Sequence, residues 1–249
     1  MTGFSAAWLA LREPFDIAAR AADLAETFLA AVAPDGLVVD LGAGAGSNIA
    51  WLGRIRSDLR WRHVDADPQL IAVARGRFAG NARIGFAELD LARDLDPALD
   101  GASGVTCAAL LDLASAGWAE RLARQLAARR LPALIALTYD GRMRWDPAHS
   151  DDDRIAAAFH QDMRRDKGFG PALGPGAADF MAERLRAADA RVEIRSTDWR
   201  VAPADCAMLQ EMITGIAGAA LASTPDDAVC IDAWISARRA QLDLSLIHI

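Results

Sequence analysis

The run Leu37-Val38-Val39-Asp40-Leu41-Gly42-Ala43-Gly44-Ala45-Gly46-Ser47-Asn48 constrains this chain more than any other stretch. Leu37, Val38, Val39 and Leu41 read as a strand buried on both faces, the habit of a parallel sheet. Three glycines at alternate positions end that strand. Without a Cβ they tolerate positive φ, and a ligand can lie directly against the backbone. Ser47-Asn48-Ile49-Ala50-Trp51-Leu52 then has helical spacing and opens on a capping-type residue. Strand, glycine turn and helix N-terminus, with its unpaired N–H groups, make a nucleotide-type site.

Spacing narrows the nucleotide. Dinucleotide folds use G-x-G-x-x-G, whereas this run is G-x-G-x-G with an acid, Asp40, two residues before Gly42. The pattern D-x-G-x-G-x-G resembles motif I of the class I S-adenosylmethionine-dependent methyltransferases. The resemblance implies an α/β fold: a doubly wound, mostly parallel Rossmann-like sheet with helices on both faces and an N-terminal helical cap. It also implies S-adenosyl-L-methionine as cofactor. That molecule has an amino-acid end in place of a pyrophosphate, and an acid near its ammonium makes electrostatic sense. Asp40, Gly42, Ala43, Gly44, Gly46 and Asn48 are then the cofactor-binding residues of this run.

The following strands fit the same scheme. Trp61-Arg62-His63-Val64-Asp65 ends on an acid 21 residues past Gly44, where nucleotide folds place the acceptor for ribose hydroxyls. Val64-Asp65-Ala66-Asp67-Pro68 resembles the family's second motif, with Asp65 at the ribose and Ala66 beside it. Asp67 and Pro68 read as an N-cap and a first helical residue. A helix over Gln69–Phe78 leads to a third strand around Arg83–Glu88. Leu89-Asp90-Leu91 resembles the family's acid-plus-apolar pair at the adenine, Asp90 accepting from the exocyclic amine and the Leu91 N–H reaching a ring nitrogen. Gly104–Leu111 reads as a buried fourth strand whose carboxyl end, around Ala108, opens onto the cofactor. A helix over Trp118–Arg130 and a fifth strand over Leu131–Tyr139 follow. Neither Asn-Pro-Pro-Tyr nor Pro-Cys occurs at the fourth strand, so the resemblance gives no support to methylation of nucleobase amino groups or cytosine carbon.

The chain has 249 residues, a formal charge of −7 and 53% hydrophobic residues. It is globular, and its acidic balance disfavours wide contact with phosphate backbones. No nucleic-acid partner is expected; the expected acceptor is a small molecule. Cys107, Cys206 and Cys230 lack metal or disulfide spacing, and the four histidines form no H-E-x-x-H pair. No metal is expected. Met1–Leu11 has no basic n-region, and the longest uncharged apolar run, Met212–Ser223, is too short to span a bilayer. A cytoplasmic protein without membrane contact is expected.

The flanking segments carry less information. Ser5–Ala33 reads as two helices divided near Glu13-Pro14, within a helical cap over 1–35. In many methyltransferases of this class such a segment covers the cofactor, and Arg20 would then meet the cofactor carboxylate. After the cofactor half, 36–140, the segment 141–176 reads as a lid or substrate insert with a helix over Arg154–Arg165. The C-terminal half, 177–249, reads as a helix over Ala177–Ala188, a strand over Val192–Val201 and helices over Ala204–Ala222 and Pro225–Gln241. Leu242–Ile249 is either a short final strand or the sign of a truncated C-terminal strand whose native end is missing. Its Leu-Ser-Leu-Ile-His-Ile looks like translated sequencing adapter and is set aside.

Methyl transfer from a sulfonium is an in-line displacement that positioning accelerates, with a base needed only if the acceptor must lose a proton. Tyr139 and Asp140, after the fifth strand, and His160, in the insert, are the candidates for that base. Two other classes compete. A nicotinamide-dependent oxidoreductase needs G-x-G-x-x-G and usually Tyr-x-x-x-Lys, but Tyr139 is the only tyrosine and is followed by Met143 at the lysine position. A non-catalytic cofactor-binding or scaffold protein would keep the glycines and Asp65 without turnover.

Overall fold

The computed structural model describes residues 4–245. In chain order its elements are α1 (Ala6–Ala18), α2 (Ala22–Ala31), β1 (Leu37–Leu41), α3 (Ser47–Ile55), β2 (Arg60–Asp65), α4 (Pro68–Arg77), β3 (Ile84–Glu88) and α5 (Leu95–Ala98). There follow β4 (Gly104–Ala108), α6 (Ala116–Arg129), β5 (Ala133–Ala136), α7 (Asp152–Met163), α8 (Ala177–Ala187), α9 (Cys206–Ser223) and α10 (Ala228–Ser245).

The five strands form one sheet in the order β3-β2-β1-β4-β5, every neighbouring pair parallel. Val38, Val39 and Leu41 are buried without remainder, as expected of a central strand covered on both faces. On one face Val39, Leu41 and Val105 meet Trp118, Leu122 and Leu126 of α6, Met181 of α8, Leu99 after α5 and Leu111 in the turn after β4. On the other, Val38 and Trp61 meet Phe28, Leu29, Ile49 and Leu52 from α2 and α3. The sheet is therefore doubly wound. Its strand order reverses between β1 and β4, and that reversal opens a crevice beyond their carboxyl ends.

The N-terminal helices are both present, but their boundary is not at Pro14. That proline lies inside α1, and the break falls at Ala19–Ala21. Proline in a helix interior leaves the carbonyl four residues earlier without its partner. Here Ala10 and Pro14 both face solvent, so water can satisfy that carbonyl and the helix continues.

The expected strand over Val192–Val201 is absent: these residues are irregular, and no strand lies beyond β5 among the described residues. Its alternation is incomplete. Val192 and Ile194 share a face, but Ser196 and Asp198 continue that face, while Trp199 and Val201 fall on the opposite one. Side chains anchor the segment instead. Arg142 bonds Ser196 and Asp198 (3.0 Å to the latter), Arg195 bonds Asp23 at 2.9 Å, and Trp199 packs on Trp8 and Arg12. Nor is there a terminal strand from Leu242. The chain through Ser245 continues α10, and the rest of that expectation lies outside the described residues.

The helices α7, α9 and α10 pack on one another through Ile155, Ala158, Ile213, Ile216, Ala220, Ile231 and Trp234. By length and composition α9 could cross a membrane. The uncharged run Met212–Ser223 is only its later part, because Glu211 lies within the helix. Its Ile213, Ile216 and Ala217 are buried against α7 and α10. At the end of this bundle Arg238 is buried between the rings of Trp145 and Trp234 (4.9 and 5.7 Å). It bonds the Asp152 carboxylate and the Pro147 carbonyl. Removing the guanidinium takes the counter-charge from a largely covered Asp152. The expected outcome for Arg238→Met is a loss of roughly 2–4 kcal/mol, read as a lowered urea midpoint at unchanged slope.

Candidate functional site

The glycine run folds as its composition requires. Gly42, Gly44 and Gly46 all have positive φ (62°, 53° and 82°), and Gly46 is the N-cap of α3. A Cβ at Gly46 would stand 2.5 Å from the Phe78 ring, so that turn admits no side chain. Two residues of β2 fix the middle of the loop. The Gly44 N–H donates to Asp65 Oδ2 at 2.7 Å, and the Gly44 carbonyl accepts from the His63 ring Nε2 at 2.8 Å. A carbonyl only accepts, so the proton of this pair sits on Nε2. The other oxygen of Asp65 takes the Asp67 N–H at 2.9 Å. Each carboxylate oxygen keeps a further lone pair for a hydroxyl.

Asp40 lies on β1 beside His63 and is buried. Its Oδ1 accepts from Thr106 Oγ1 (2.6 Å) and Asn48 Nδ2 (2.9 Å); its Oδ2 has no partner. Burial pushes the Asp40 carboxyl up, and the bonds from Thr106 and Asn48 only partly offset that. Arg20, from the turn between α1 and α2, reaches the same place. Its guanidinium donates to Ser47 Oγ at 3.2 Å, stacks over Trp51 at 5.0 Å and leaves Nε without a partner. Burial lowers its pKa, against the pull of Asp16 and Asp40.

One bare carboxylate oxygen and one bare guanidinium nitrogen therefore flank the N-terminus of α3. They complement an ammonium and a carboxylate, the two charges of an amino-acid end. A pyrophosphate would meet repulsion from Asp40. The residues present thus fit S-adenosylmethionine and not a dinucleotide.

The other expected cofactor contacts lie along the same edge of the sheet. Ala66 is exposed just beyond Asp65. The Leu89 N–H donates to the Asp65 carbonyl at 3.0 Å, bringing Asp90 and Leu91 beside the end of β2. Asp90 accepts from the Ala92 N–H and pairs with Arg93. Leu91 is buried, and its carbonyl accepts from Trp118 Nε1 at 2.7 Å. Ala43, with its N–H on the Val64 carbonyl, and Ala108, ending β4, line the middle of the edge.

No family model matches the sequence, and no curated protein matches it. Solved structures do. An O-methyltransferase family protein from Burkholderia thailandensis superposes with a TM-score of 0.52 at 20% identity, over 76% of this chain and 54% of that one. The chain has the class I methyltransferase fold. The chain spans about half the length of that protein. Two further structures align with lower scores. One is the cyclopropane synthase MmaA2 from Mycobacterium tuberculosis (TM-score 0.49, 10% identity, 91% of this chain and 80% of that one). The other is the S-adenosylmethionine-dependent methyltransferase SibL (0.47, 23%, 73% and 49%).

Within the methyltransferase fold, two of the three candidate proton acceptors meet. The Tyr139 hydroxyl lies 2.8 Å from His160 Nε2. Burial pushes the phenol up to about 12, so it is the donor. Burial and the nearby Arg164 lower the pKa of His160, which favours the neutral imidazole as acceptor. Asp140 stands apart from this pair. It binds Arg142 (2.7 Å), which turns towards Asp198 and Ser196. Burial raises the Asp140 pKa, but Arg142 more than offsets it and holds the carboxyl below its ordinary value.

Sequence reasoning passed over two residues of this edge. His63 was given no role beyond its place in the second strand, although the parallel register places it opposite Asp40. Asp112, in the 3-10 turn Leu111–Leu113 after β4, is 6% exposed, and its Oδ1 has no partner. Burial pushes its carboxyl up to about 6; its own backbone N–H and Arg12 work the other way. Its sequence signal, an acid directly after a buried strand at the reversal point, is shared with many loop acids.

The raised pKa fixes the sign of a stability effect. The native state holds this proton to higher pH than the unfolded chain, so the contribution is complete below about pH 4 and is lost as pH rises to about 6. Asp112→Asn removes that loss. The expected outcome is a gain on the order of 1–3 kcal/mol in thermal or denaturant stability at pH 7–8, shrinking to nothing towards pH 4.

Proposed function

We propose that this chain transfers a methyl group from S-adenosylmethionine to a small-molecule acceptor. The observation that carries the reading is the pair of bare polar atoms, Asp40 Oδ2 and Arg20 Nε, beside a glycine loop that Asp65 holds in place. Arg20 would take the cofactor carboxylate, Asp40 its ammonium, Asp65 its ribose hydroxyls, and the Asp90–Leu91 turn its adenine. When bound, the cofactor supplies an electrophilic methyl group on a sulfonium.

The acceptor would sit over the carboxyl ends of β4 and β5, under the segment 141–176. Two contacts hold that segment to the turn after β4. The Leu173 N–H donates to the Ala114 carbonyl at 2.8 Å, and Ala172 pairs with Ser115 in an antiparallel bridge. There an acceptor that must lose a proton passes it to the Tyr139 oxygen as the Tyr139 proton moves to the neutral His160 Nε2. The similar Burkholderia protein is of an O-methyltransferase family; whether oxygen or another atom is methylated here is a property of the acceptor. Asp40 also weighs against a nicotinamide cofactor, because its charge opposes a pyrophosphate at the α3 N-terminus. A cytoplasmic setting accords with three free cysteines.

Calorimetric titration with S-adenosylhomocysteine tests the cofactor, with NADH as control. The expected outcome is binding of the first only, weakened at least about tenfold in Asp65→Asn through lost ribose and loop contacts. A folded wild type that binds neither ligand would sink the reading. Once an acceptor is found, Tyr139→Phe and His160→Gln should lower kcat by about 10²-fold or more at unchanged homocysteine-ligand affinity. Unchanged kcat in both would leave the pair with a structural role only.

A further inference from the structure

Asp112 has no part in the cofactor site, yet the fold places it at the mouth of the same crevice. It follows β4 by four residues, on the opposite side of the strand-order reversal from the glycine loop. The two sides touch: a Cβ on Gly42 would stand 3.2 Å from Leu110, two residues before Asp112. The insert closes over this turn. Leu173 bonds Ala114, and Ser115 pairs with Ala172 in an isolated antiparallel bridge. The turn that carries Asp112 is thus packed against the segment that would cover an acceptor.

A carboxyl group more than nine-tenths buried normally has its oxygens bonded, because stripping water from an unpaired acceptor costs free energy and stripping it from an unpaired charge costs more. Here Oδ1 has no protein donor. Arg12, the basic group felt by Asp112, gives both halves of its fork to Asp16 at 2.9 and 3.0 Å and sits between Trp8 and Trp199. It attracts the carboxylate through space without bonding Oδ1. The missing partner is a donor, and a positively charged donor offsets the burial of a carboxylate best.

We infer that Asp112 is a specificity-determining residue of the acceptor site, its free oxygen receiving the protonated amino group of an amine-bearing methyl acceptor. The inference rests on the methyltransferase reading and narrows its substrate class. It is consistent with the chemistry at the neighbouring strand. An ammonium must lose a proton before its nitrogen can attack a methyl group, and the Tyr139 hydroxyl can take that proton as its own moves to the neutral His160.

The test uses full-length protein saturated with S-adenosylhomocysteine, after binding of that ligand has been measured by itself. Benzylamine and cyclohexylamine are titrated against benzyl alcohol and cyclohexanol, which match them in shape but lack the charge. The expected result is that the amines bind the wild type at least about tenfold more tightly than their alcohols. Asp112→Asn should lose that preference while keeping its affinity for the homocysteine ligand, and Asp112→Glu should retain part of it. Equal binding of amines and alcohols, no amine binding to the saturated wild type, or a preference surviving in Asp112→Asn would each overturn the inference. Failure of the first titration, with S-adenosylhomocysteine alone, would instead count against the methyltransferase reading beneath it.

Discussion

The central glycine of the loop is held from two sides by one strand. Its N–H is fixed by Asp65 and its carbonyl by His63, both from β2. A three-glycine turn is costly to order because glycine has the most backbone freedom to lose. Two short hydrogen bonds from a buried, already ordered strand offset that cost and leave the loop shaped before any ligand arrives. The consequences spread outward. With Gly44 fixed, Gly46 takes the left-handed conformation that starts α3, and α3 delivers Asn48 to Asp40. Asp65 also bonds the Asp67 N–H, and Asp67 caps α4. The turn proposed to meet the ribose is therefore the turn that organises α4.

Above this frame lies a row of buried charges that a folded protein would ordinarily avoid. Asp112 feels Arg12, Arg12 is paired with Asp16, Asp16 acts on Arg20, and Arg20 on Asp40. The signs alternate, which spares each group an uncompensated burial. The row runs from α1 across the carboxyl edge of the sheet, so the N-terminal helix is held by electrostatics as well as by Leu9 packed on Gly44. Its bare atoms, Asp112 Oδ1, Arg20 Nε and Asp40 Oδ2, fall in the crevice region where open α/β sheets bind ligands. Groups kept unsatisfied at a cost to stability are characteristic of functional sites.

Much of this was legible in the residues. The buried strand, the glycine spacing and the acid at position 65 depend on local rules, and β1, α3, β2 and the Asp67 cap all stand where those rules put them. What local rules missed was set by tertiary neighbours. Pro14 could be tolerated in α1 because its face is wet, which no propensity reveals. Val192–Val201 has strand-like residues but too short a matched face, and Arg142 and Arg195 hold it by its side chains instead. The Tyr139–His160 pair spans 21 residues and required α7 to be placed beside the loop after β5. Asp112 was invisible because its meaning lies in its burial, and burial of a loop acid cannot be read from its neighbours in sequence.

The most direct measurement of the central claim is a crystal structure with S-adenosylhomocysteine bound. The account predicts the ribose hydroxyls on Asp65, the amino-acid end between Asp40 and Arg20, and the sulfur facing the carboxyl ends of β4 and β5. Ligand density elsewhere, or a glycine loop rearranged so that Gly44 no longer meets Asp65 and His63, would contradict it.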